Sequence, residues 1–213
     1  MPVTGAKRTA FQDEGTARQS PNVTAILLAA GRSRRFGPDD KLMAELDGTP
    51  VILKTLNALT ESRCEAVHVI VAPDNRPLIE LLKGQPVTIV PNPQAHAGLG
   101  NSIATGIASL ADEVTGALIL PGDMPWMTSA FINRLVEAFG AENGQKVTVP
   151  ITIEGEQRNP IIWPRSDFAE LRDLSGDRGA KKLIPSDPAQ RLEVPAQDAG
   201  IFQDIDTHSD LNP

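Results

Sequence analysis

The chain has 213 residues, with 27 acidic and 20 basic side chains and a formal net charge of −7. Its length suits a single domain of roughly 100–200 residues, and its acidity excludes a protein that binds nucleic acid non-specifically through a basic surface. The single cysteine, Cys64, excludes an internal disulfide and a cysteine-rich zinc site.

The first 21 residues are polar and show no hydrophobic period. We therefore predict a mobile N-terminal tail over 1–21 and one folded domain over 22–213. The tail lacks the continuous apolar segment of a secretory signal. The longest apolar run, Val23–Ala30, is far shorter than the ~20 residues that cross a membrane. We expect a cytoplasmic protein with neither a membrane nor a nucleic-acid partner.

From Val23 onward, short apolar runs alternate with segments of helical period. Continuous apolar runs are typical of strands buried on both faces of a sheet, and they predict strands over Val23–Ala29, Ala66–Ala72, Val87–Val90 and Gly116–Leu120. Apolar residues at helical spacing predict a helix that starts at Pro50 and others over Pro77–Leu82, Leu99–Leu110 and 129–139. Four such βα units predict an α/β domain with a mainly parallel sheet and helices on both faces.

The last third of the sequence predicts a smaller addition to this sheet. Val147–Ile153 and Asn159–Trp163 have the pattern of two further strands, which form either a hairpin or a small antiparallel edge. A short helix is predicted over Asp167–Leu174. The chain closes with the apolar Leu192–Val194 and the acidic segment QDIDTHSDL.

The strongest local signal is the loop after the first predicted strand. Four cations fall within ten residues there, and ligands bind at the carboxyl ends of strands in open α/β sheets. Small residues let backbone N–H groups approach an anion, and guanidinium groups match phosphate oxygens. We predict a triphosphate cradle formed by Leu28, Ala29, Ala30, Gly31, Arg32, Ser33, Arg35 and Lys41. The alternative is a solvated basic turn. Neither GxxxxGK[ST] nor GxGxxG is present, which excludes a P-loop and a dinucleotide fingerprint.

Carboxylates follow at two further places. Asp123, in PGDMP, comes directly after the fourth predicted strand and so lies at the same edge of the sheet, where it can hold Mg²⁺. Asp204 and Asp206 alternate and therefore share one side of an extended segment. The alternatives are a capping aspartate for Asp123 and a solvated acidic terminus for the other two. Asn101 and Ser102 open a predicted helix, whose N-terminus suits either an anion or simple capping.

Six motifs of the chain, in this order, resemble the MobA-like nucleotidyltransferase family, and its molybdenum cofactor cytidylyltransferases in particular: LAAGRSRRFGPDDKL, GLGNSI, LILPGDMPWMT, NPIIW, LSGDRGAKKLI and FQDIDTHSDL. The resemblance covers about residues 23–211. It implies a Rossmann-like nucleotide-diphospho-sugar transferase sheet. It also implies an enzyme that moves CMP from CTP to a phosphate-bearing acceptor such as molybdopterin cofactor, with release of pyrophosphate. Transient contact with a molybdoenzyme or its chaperone would follow from that role.

The resemblance assigns roles to particular residues. Arg35 and Lys41 would contact the phosphates, Asp123 would bind Mg²⁺, and Asp204 or Asp206 would complete the metal site. LAAG, rather than LAGG, is similar to the cytidylyl-transferring branch, which associates Ala30 with the choice of a pyrimidine. The remaining expected site residues are Gly122 for the nucleotide and, for the acceptor, Asn159, Pro160, Asp177 and Gly179.

Three departures from the family pattern concern the site. QRNP at 157–160 stands where RGHP is usual, His208 stands in place of a proline, and Phe36 in place of a methionine. The first leaves the acceptor open, and a sugar or polyol phosphate is the alternative. A carrier of molybdenum cofactor without turnover is a further alternative. A nicotinamide-dependent reductase is disfavoured because GxGxxG is absent.

Overall fold

The computed structural model describes residues 21–31, 36 and 39–211. The predicted N-terminal tail and the predicted site residues Arg32, Ser33 and Arg35 lie outside these residues. Within the described part of the chain, no helix has the length and apolar character needed to cross a membrane.

The described residues form a seven-stranded sheet whose first half is parallel. The strands β1 (Val23–Ala29), β4 (Ala66–Val71), β5 (Thr88–Pro91) and β6 (Gly116–Pro121) lie in the order β5-β4-β1-β6. The central strands β1 and β6 contain nearly continuous runs of buried aliphatic residues because both faces of the sheet are covered there. No residue of β5, at the end of the sheet, is buried. The four predicted strands are confirmed within a residue at each end. Leu28 of β1 pairs with Pro121 of β6, so the carboxyl ends of these two strands adjoin.

The second half of the sheet contains the antiparallel pairs. Strand β8 (Ile161–Pro164) runs antiparallel to both β6 and β7 (Val147–Ile151), which confirms the predicted antiparallel pairing. The predicted first strand of this pair was two residues too long, because the chain turns after Ile151. The outermost strand, β9 (Arg191–Pro195), is parallel to β7. Strand β8 lies between β6 and β7, although it follows both of them in the sequence. The spacing of residues along the chain does not predict this strand order.

A separate two-stranded ribbon precedes the first helix and was not predicted. Its strands are β2 (Glu45–Leu46) and β3 (Thr49–Pro50), and they are joined by Asp47 and Gly48 at φ of 54° and 73°. Asp-Gly is the usual sequence of such a two-residue turn, so the signal was present. Pro50 consequently precedes the helix as its N-cap instead of forming its first turn.

Five α-helices cover the two faces of the sheet in the described residues: α1 (Val51–Thr60), α2 (Arg76–Leu82), α3 (Leu99–Ala108), α4 (Ser129–Ala141) and α5 (Phe168–Arg172). One face buries α1, α2 and α4, and the other buries α3 and α5. The predicted placement of helices on both faces is confirmed. One residue differs: Leu99, which shares a helical stripe with Ile103 and Ile107, is 45% exposed, whereas those two are buried.

Candidate active site

The loop after β6 places Asp123 beside the end of β1. The N–H of Gly122 donates to the carbonyl oxygen of Leu28 at 2.9 Å, and the hydroxyl of Thr55 in α1 donates to the carbonyl oxygen of Gly122 at 3.0 Å. A Cβ at residue 122 would lie 2.9 Å from Ile52 Cδ1 and 3.0 Å from the Leu28 oxygen. A side chain here would have to displace these neighbours, so glycine favours this close approach, and Gly122 holds the strand end that presents Asp123.

Lys41 reaches Asp123 from the other side of the site. Its Nζ lies 2.5 Å from Asp123 Oδ2 and 3.5 Å from Asp206 Oδ1. The preceding residue fixes this position, because the Asp40 carboxylate accepts hydrogen bonds from the Leu42 N–H at 3.0 Å and from the Asn75 side-chain amide at 2.6 Å. The ion pair is largely buried, with Lys41 and Asp123 side chains 16% and 17% exposed.

The C-terminal segment is anchored directly to the same loop. The N–H of Ile205 donates to the carbonyl oxygen of Asp123 at 2.9 Å, and the Ile205 side chain is fully buried. Asp204 and Asp206 flank this anchor and both line the cavity beside it, as their alternation predicted. The segment has no regular secondary structure here, and its central apolar side chain enters the core while the two aspartates line the cavity.

A turn at the end of the chain holds the two aspartates in place. The Asp210 carboxylate accepts hydrogen bonds from the N–H groups of Asp206 at 2.9 Å and of Thr207 at 2.7 Å. These bonds lower the pKa of Asp210 because they stabilise the charged form. The ring of His208 also stacks on Phe36, with centroids 3.9 Å apart, which joins this segment to the glycine-rich loop.

The three aspartates create a strongly negative site. Burial raises the pKa of Asp204, the charges of Asp123 and Asp206 raise it further, and Lys41 opposes these effects. Asp123 Oδ1 is buried and has no hydrogen-bond partner among the described residues. Within those same residues, no three His, Cys, Asp or Glu side chains are grouped closely enough to enclose a metal ion by themselves. The Lys41 ammonium lies between Asp123 and Asp206 instead.

A cavity of about 810 Å³ opens beside these charged groups. Its lining includes the predicted residues Leu28, Lys41, Asp123, Asn159 and Gly179, as well as the two C-terminal aspartates. It also includes residues that the sequence did not single out, namely Leu99, Ile103, Met124, Trp163, Lys181 and Phe202. Their apolar periodicity marked most of these as core, and only the tertiary arrangement shows which side chains border a cavity.

Two glycine-rich motifs of the sequence contact each other at the rim of this cavity. The N–H of Gly100 donates to the carbonyl oxygen of Gly176 at 2.9 Å. A Cβ at Gly98 would lie 2.4–2.6 Å from backbone atoms of Gly176 and Asp177. The segment 175–178 thus packs against the first turn of α3, and it leads into Gly179 at the cavity wall. Asp177 itself is exposed and is not part of the described lining.

The other predicted binding residues in the described part of the chain do not line the cavity. Ala29 and Ala30 are buried at the end of β1, and Gly31 is exposed. In α3, the Ser102 hydroxyl is buried and accepts a hydrogen bond from the Asn92 side chain at 3.1 Å. The side-chain amide nitrogen of Asn101 donates to the side chain of Gln94 at 3.2 Å, whereas the side-chain oxygen of Asn101 has no partner in the described part of the chain. Asn101, Ser102 and Pro160 are absent from the described lining of the cavity.

Comparison with known proteins identifies the family. The family model described as the MobA-like NTP transferase domain matches residues 25–192. The chain belongs to the MobA-like NTP transferase family. It is a nucleotidyltransferase, and the resemblance of its motifs to this family is confirmed.

Curated relatives cover nearly the whole MobA-like chain. A molybdenum cofactor guanylyltransferase of Cupriavidus metallidurans is 30% identical over 199 residues, which are 90% of this chain and 93% of the relative. The purine catabolism protein PucB of Bacillus subtilis is 28% identical over 204 residues, covering 89% of this chain and 94% of that protein.

A solved structure shows the same fold. Rv0371c of Mycobacterium tuberculosis H37Rv superimposes with a TM-score of 0.76 at 24% identity, and covers 90% of this chain and 96% of its own. A structure of Rv0371c in complex with manganese superimposes with a TM-score of 0.69 at 22% identity, over 82% of this chain and 88% of its own. The expected fold class is confirmed.

Proposed function

We propose that this nucleotidyltransferase moves CMP from CTP to a phosphate group of molybdopterin cofactor and releases pyrophosphate in a Mg²⁺-dependent reaction. One observation carries the proposal: Lys41 and three aspartates converge at the carboxyl ends of β1 and β6, beside a cavity of about 810 Å³. The acceptor is suggested by relatives named for the molybdenum cofactor.

The aspartates fit a divalent cation. Carboxylate oxygens are the hard donors that Mg²⁺ prefers, and Mg²⁺ in such sites uses one or two carboxylates together with substrate phosphates. The buried Oδ1 of Asp123, which has no hydrogen-bond partner among the described residues, is available as a metal ligand. The pKa of Asp204 is raised by burial and, further, by the negative charges of Asp123 and Asp206. Asp123, with Asp204 or Asp206, would hold the ion. When bound there, it supplies Lewis-acid stabilisation of charge on phosphate oxygens.

Protein side chains position the reactants and stabilise charge. Because the Lys41 ammonium is 2.5 Å from Asp123 Oδ2, a phosphate held beside Asp123 is also within reach of Lys41. Lys41, together with Arg35 from the resemblance, stabilises the charge on the departing pyrophosphate. The attacking acceptor phosphate is already ionised near neutral pH, so no protein base is required. An oxygen of that phosphate attacks the α-phosphorus in line, and the bond to pyrophosphate breaks.

The choice of CTP is proposed from the sequence LAAG. Ala30 is only 4% exposed, and its methyl group packs in the core at the start of the loop. The association of Ala30 with a pyrimidine comes from the resemblance, because LAAG, rather than LAGG, is similar to the cytidylyl-transferring branch. Relatives named guanylyltransferases share about 30% identity with this chain, so the nucleotide must be tested directly.

The test is pyrophosphate release from each of the four NTPs with Mg²⁺ and molybdopterin. We expect release with CTP alone, and we expect Ala30→Gly to gain activity with GTP. Asp123→Asn should lower turnover by about a hundredfold or more, whereas Asp173→Asn, an exposed aspartate at the end of α5, should not change it. Release with GTP alone would refute the CTP assignment. CTP binding without turnover, on every phosphate acceptor offered, would instead support a carrier of the cofactor.

A further inference from the structure

Two sets of charged side chains line the cavity. The acidic residues among the described lining residues are Asp123, Asp204 and Asp206. They form the acidic end of the cavity, and Lys41 lies with them. Two further cations, Arg158 and Lys181, line the cavity without an acidic partner from its lining. The cavity therefore has an acidic end, where a cation-bound phosphate would react, and it is also lined by two cations that the proposed chemistry does not use.

Arg158 is held by the turn between β7 and β8. Its N–H donates to the carbonyl oxygen of Pro150 at 3.0 Å, and the Thr152 N–H donates to the carbonyl oxygen of Glu156 at 2.9 Å. The Arg158 guanidinium pairs with the Glu156 carboxylate, but Glu156 is 59% exposed and is not a lining residue. An exposed pair of this kind contributes little free energy, so the guanidinium remains able to bind a ligand.

Lys181 lines the same cavity from another segment of the chain. It lies in a short 3₁₀ helix, Ala180–Leu183, whose first residue is buried in the core. Gly179, just before it, packs closely on Leu99, since a Cβ there would lie 2.9 Å from Leu99 Cδ2. The ammonium of Lys181 forms no ion pair within the part of the chain that the structure describes. Its backbone is thus fixed while its charge is available.

The same cavity has apolar walls. Its lining includes Ile119 of β6 and Ile161 and Trp163 of β8, and these two strands pair with each other. A ligand that fills this cavity must therefore combine a phosphate for the acidic end with an apolar or flat body and a group suited to two cations. Guanidinium and ammonium groups bind anions through charge-assisted hydrogen bonds.

We infer that Arg158 and Lys181 bind a second anionic group of the acceptor, distinct from the phosphate that attacks the nucleotide. This inference rests on the proposed function only in placing the reacting phosphate at Asp123. It makes the two cations determinants of acceptor specificity: they select acceptors that carry negative charge at two places. It also gives Arg158 a role in acceptor binding. Arg158 belongs to QRNP, the segment in which this chain differs from the RGHP of the family it resembles, and it stands in the place of that glycine.

A direct binding experiment tests the subsite without turnover. Inorganic phosphate is titrated into the ¹⁵N-labelled full chain, and amide shifts are followed by NMR. We expect shifts in both segments, at 157–159 and at 180–182, and their loss in the double variant Arg158→Gln/Lys181→Gln. Lys182→Gln is the matched control, because Lys182 is the exposed neighbour of Lys181 and does not line the cavity. An unchanged response in the double variant, or no shift in these segments in the unmodified chain, would overturn the inference.

Kinetics then connect the subsite to the reaction. With CTP and molybdopterin, the double variant should raise KM for the acceptor by about tenfold or more. Its kcat and its KM for CTP should stay within about twofold, because a lost charge-assisted contact away from the reacting atoms weakens acceptor binding alone. Turnover with unchanged acceptor KM would refute the inference and leave the proposed function standing. If the unmodified chain shows no turnover with any NTP, the proposed function fails, and the phosphate titration alone decides the subsite.

Discussion

Gly98→Ala tests the contact that places the 175–181 segment at the cavity. Gly98 has φ of 106° and ψ of −179°, a region that is essentially restricted to glycine. A Cβ at this position would also lie 2.4 Å from the carbonyl carbon and 2.5 Å from the carbonyl oxygen of Gly176. These are backbone atoms, so no side-chain rotation can relieve the clash. Either α3 or the 175–178 segment must move.

The magnitude follows from two contributions. Backbone strain of this kind costs about 1–3 kcal/mol. Overpacking against atoms that cannot rotate away costs a further ~1–3 kcal/mol. The free energy of unfolding should therefore fall by roughly 2–6 kcal/mol, a large part of the 5–15 kcal/mol that is usual for a domain. Because Gly179 and Lys181 follow the displaced segment, KM for the acceptor should rise as well.

Urea unfolding of three alanine variants separates the contributions. Gly155 has φ of 82° and open space around its Cβ, so Gly155→Ala measures strain alone, at about 1–2 kcal/mol. Gly84 has neither a positive φ nor an atom within 4 Å of the Cβ, so its alanine variant should stay within about 0.5 kcal/mol. Equal losses for Gly98→Ala and Gly155→Ala would refute the steric argument. A stable Gly98→Ala with unchanged kinetics would refute the contact altogether.

Two further predictions concern one buried and one half-buried polar side chain. Thr55→Val, which removes the hydroxyl that donates to Gly122, should cost about 1–3 kcal/mol in urea unfolding; Thr55→Ser, which keeps the hydroxyl, should lose clearly less, and equal losses would refute the role of this bond. Burial lowers the pKa of His68 from 6.5, so below that pH the unfolded chain binds a proton that the folded chain resists, and stability should fall on acidification. His68→Asn should reduce that slope below about pH 6.5, where the unfolded chain takes up the proton; an unchanged slope would refute its origin in His68.

The local sequence predicted the main strands and helices, because buried apolar residues recur along the chain with the pattern of the strand or helix that contains them. The runs at Val23–Ala29 and Gly116–Leu120 predicted their strands, and the position of Asp123 after the second run placed it at the correct edge. The helical spacing in α3 predicted that Leu99 would be buried like Ile103 and Ile107, but Leu99 is exposed. Helical spacing shows which residues share a face of the helix, and it does not show how far the elements packed on that face extend.

The motifs also marked the residues of the acidic end. Asp123 and Lys41 stood out because carboxylates and cations after buried strands are typical of phosphate sites. Their side chains are in contact at 2.5 Å although the two residues are 82 positions apart in the sequence. The spacing of residues within one helix or strand cannot predict such a contact. The same limit applies to Trp163, whose apolar character predicted core, although it also borders the cavity.

The sequence by itself determined the α/β class, the family and the residue types for phosphate chemistry, because these depend on period, order and chemical type along the chain. Tertiary structure alone decided the insertion of β8 between β6 and β7, the packing of 175–178 on Gly98, and the placement of Arg158 and Lys181 around one cavity. These features arise from contacts between distant segments. Such contacts depend on which surfaces pack together after the elements form, and that information is distributed over the whole chain.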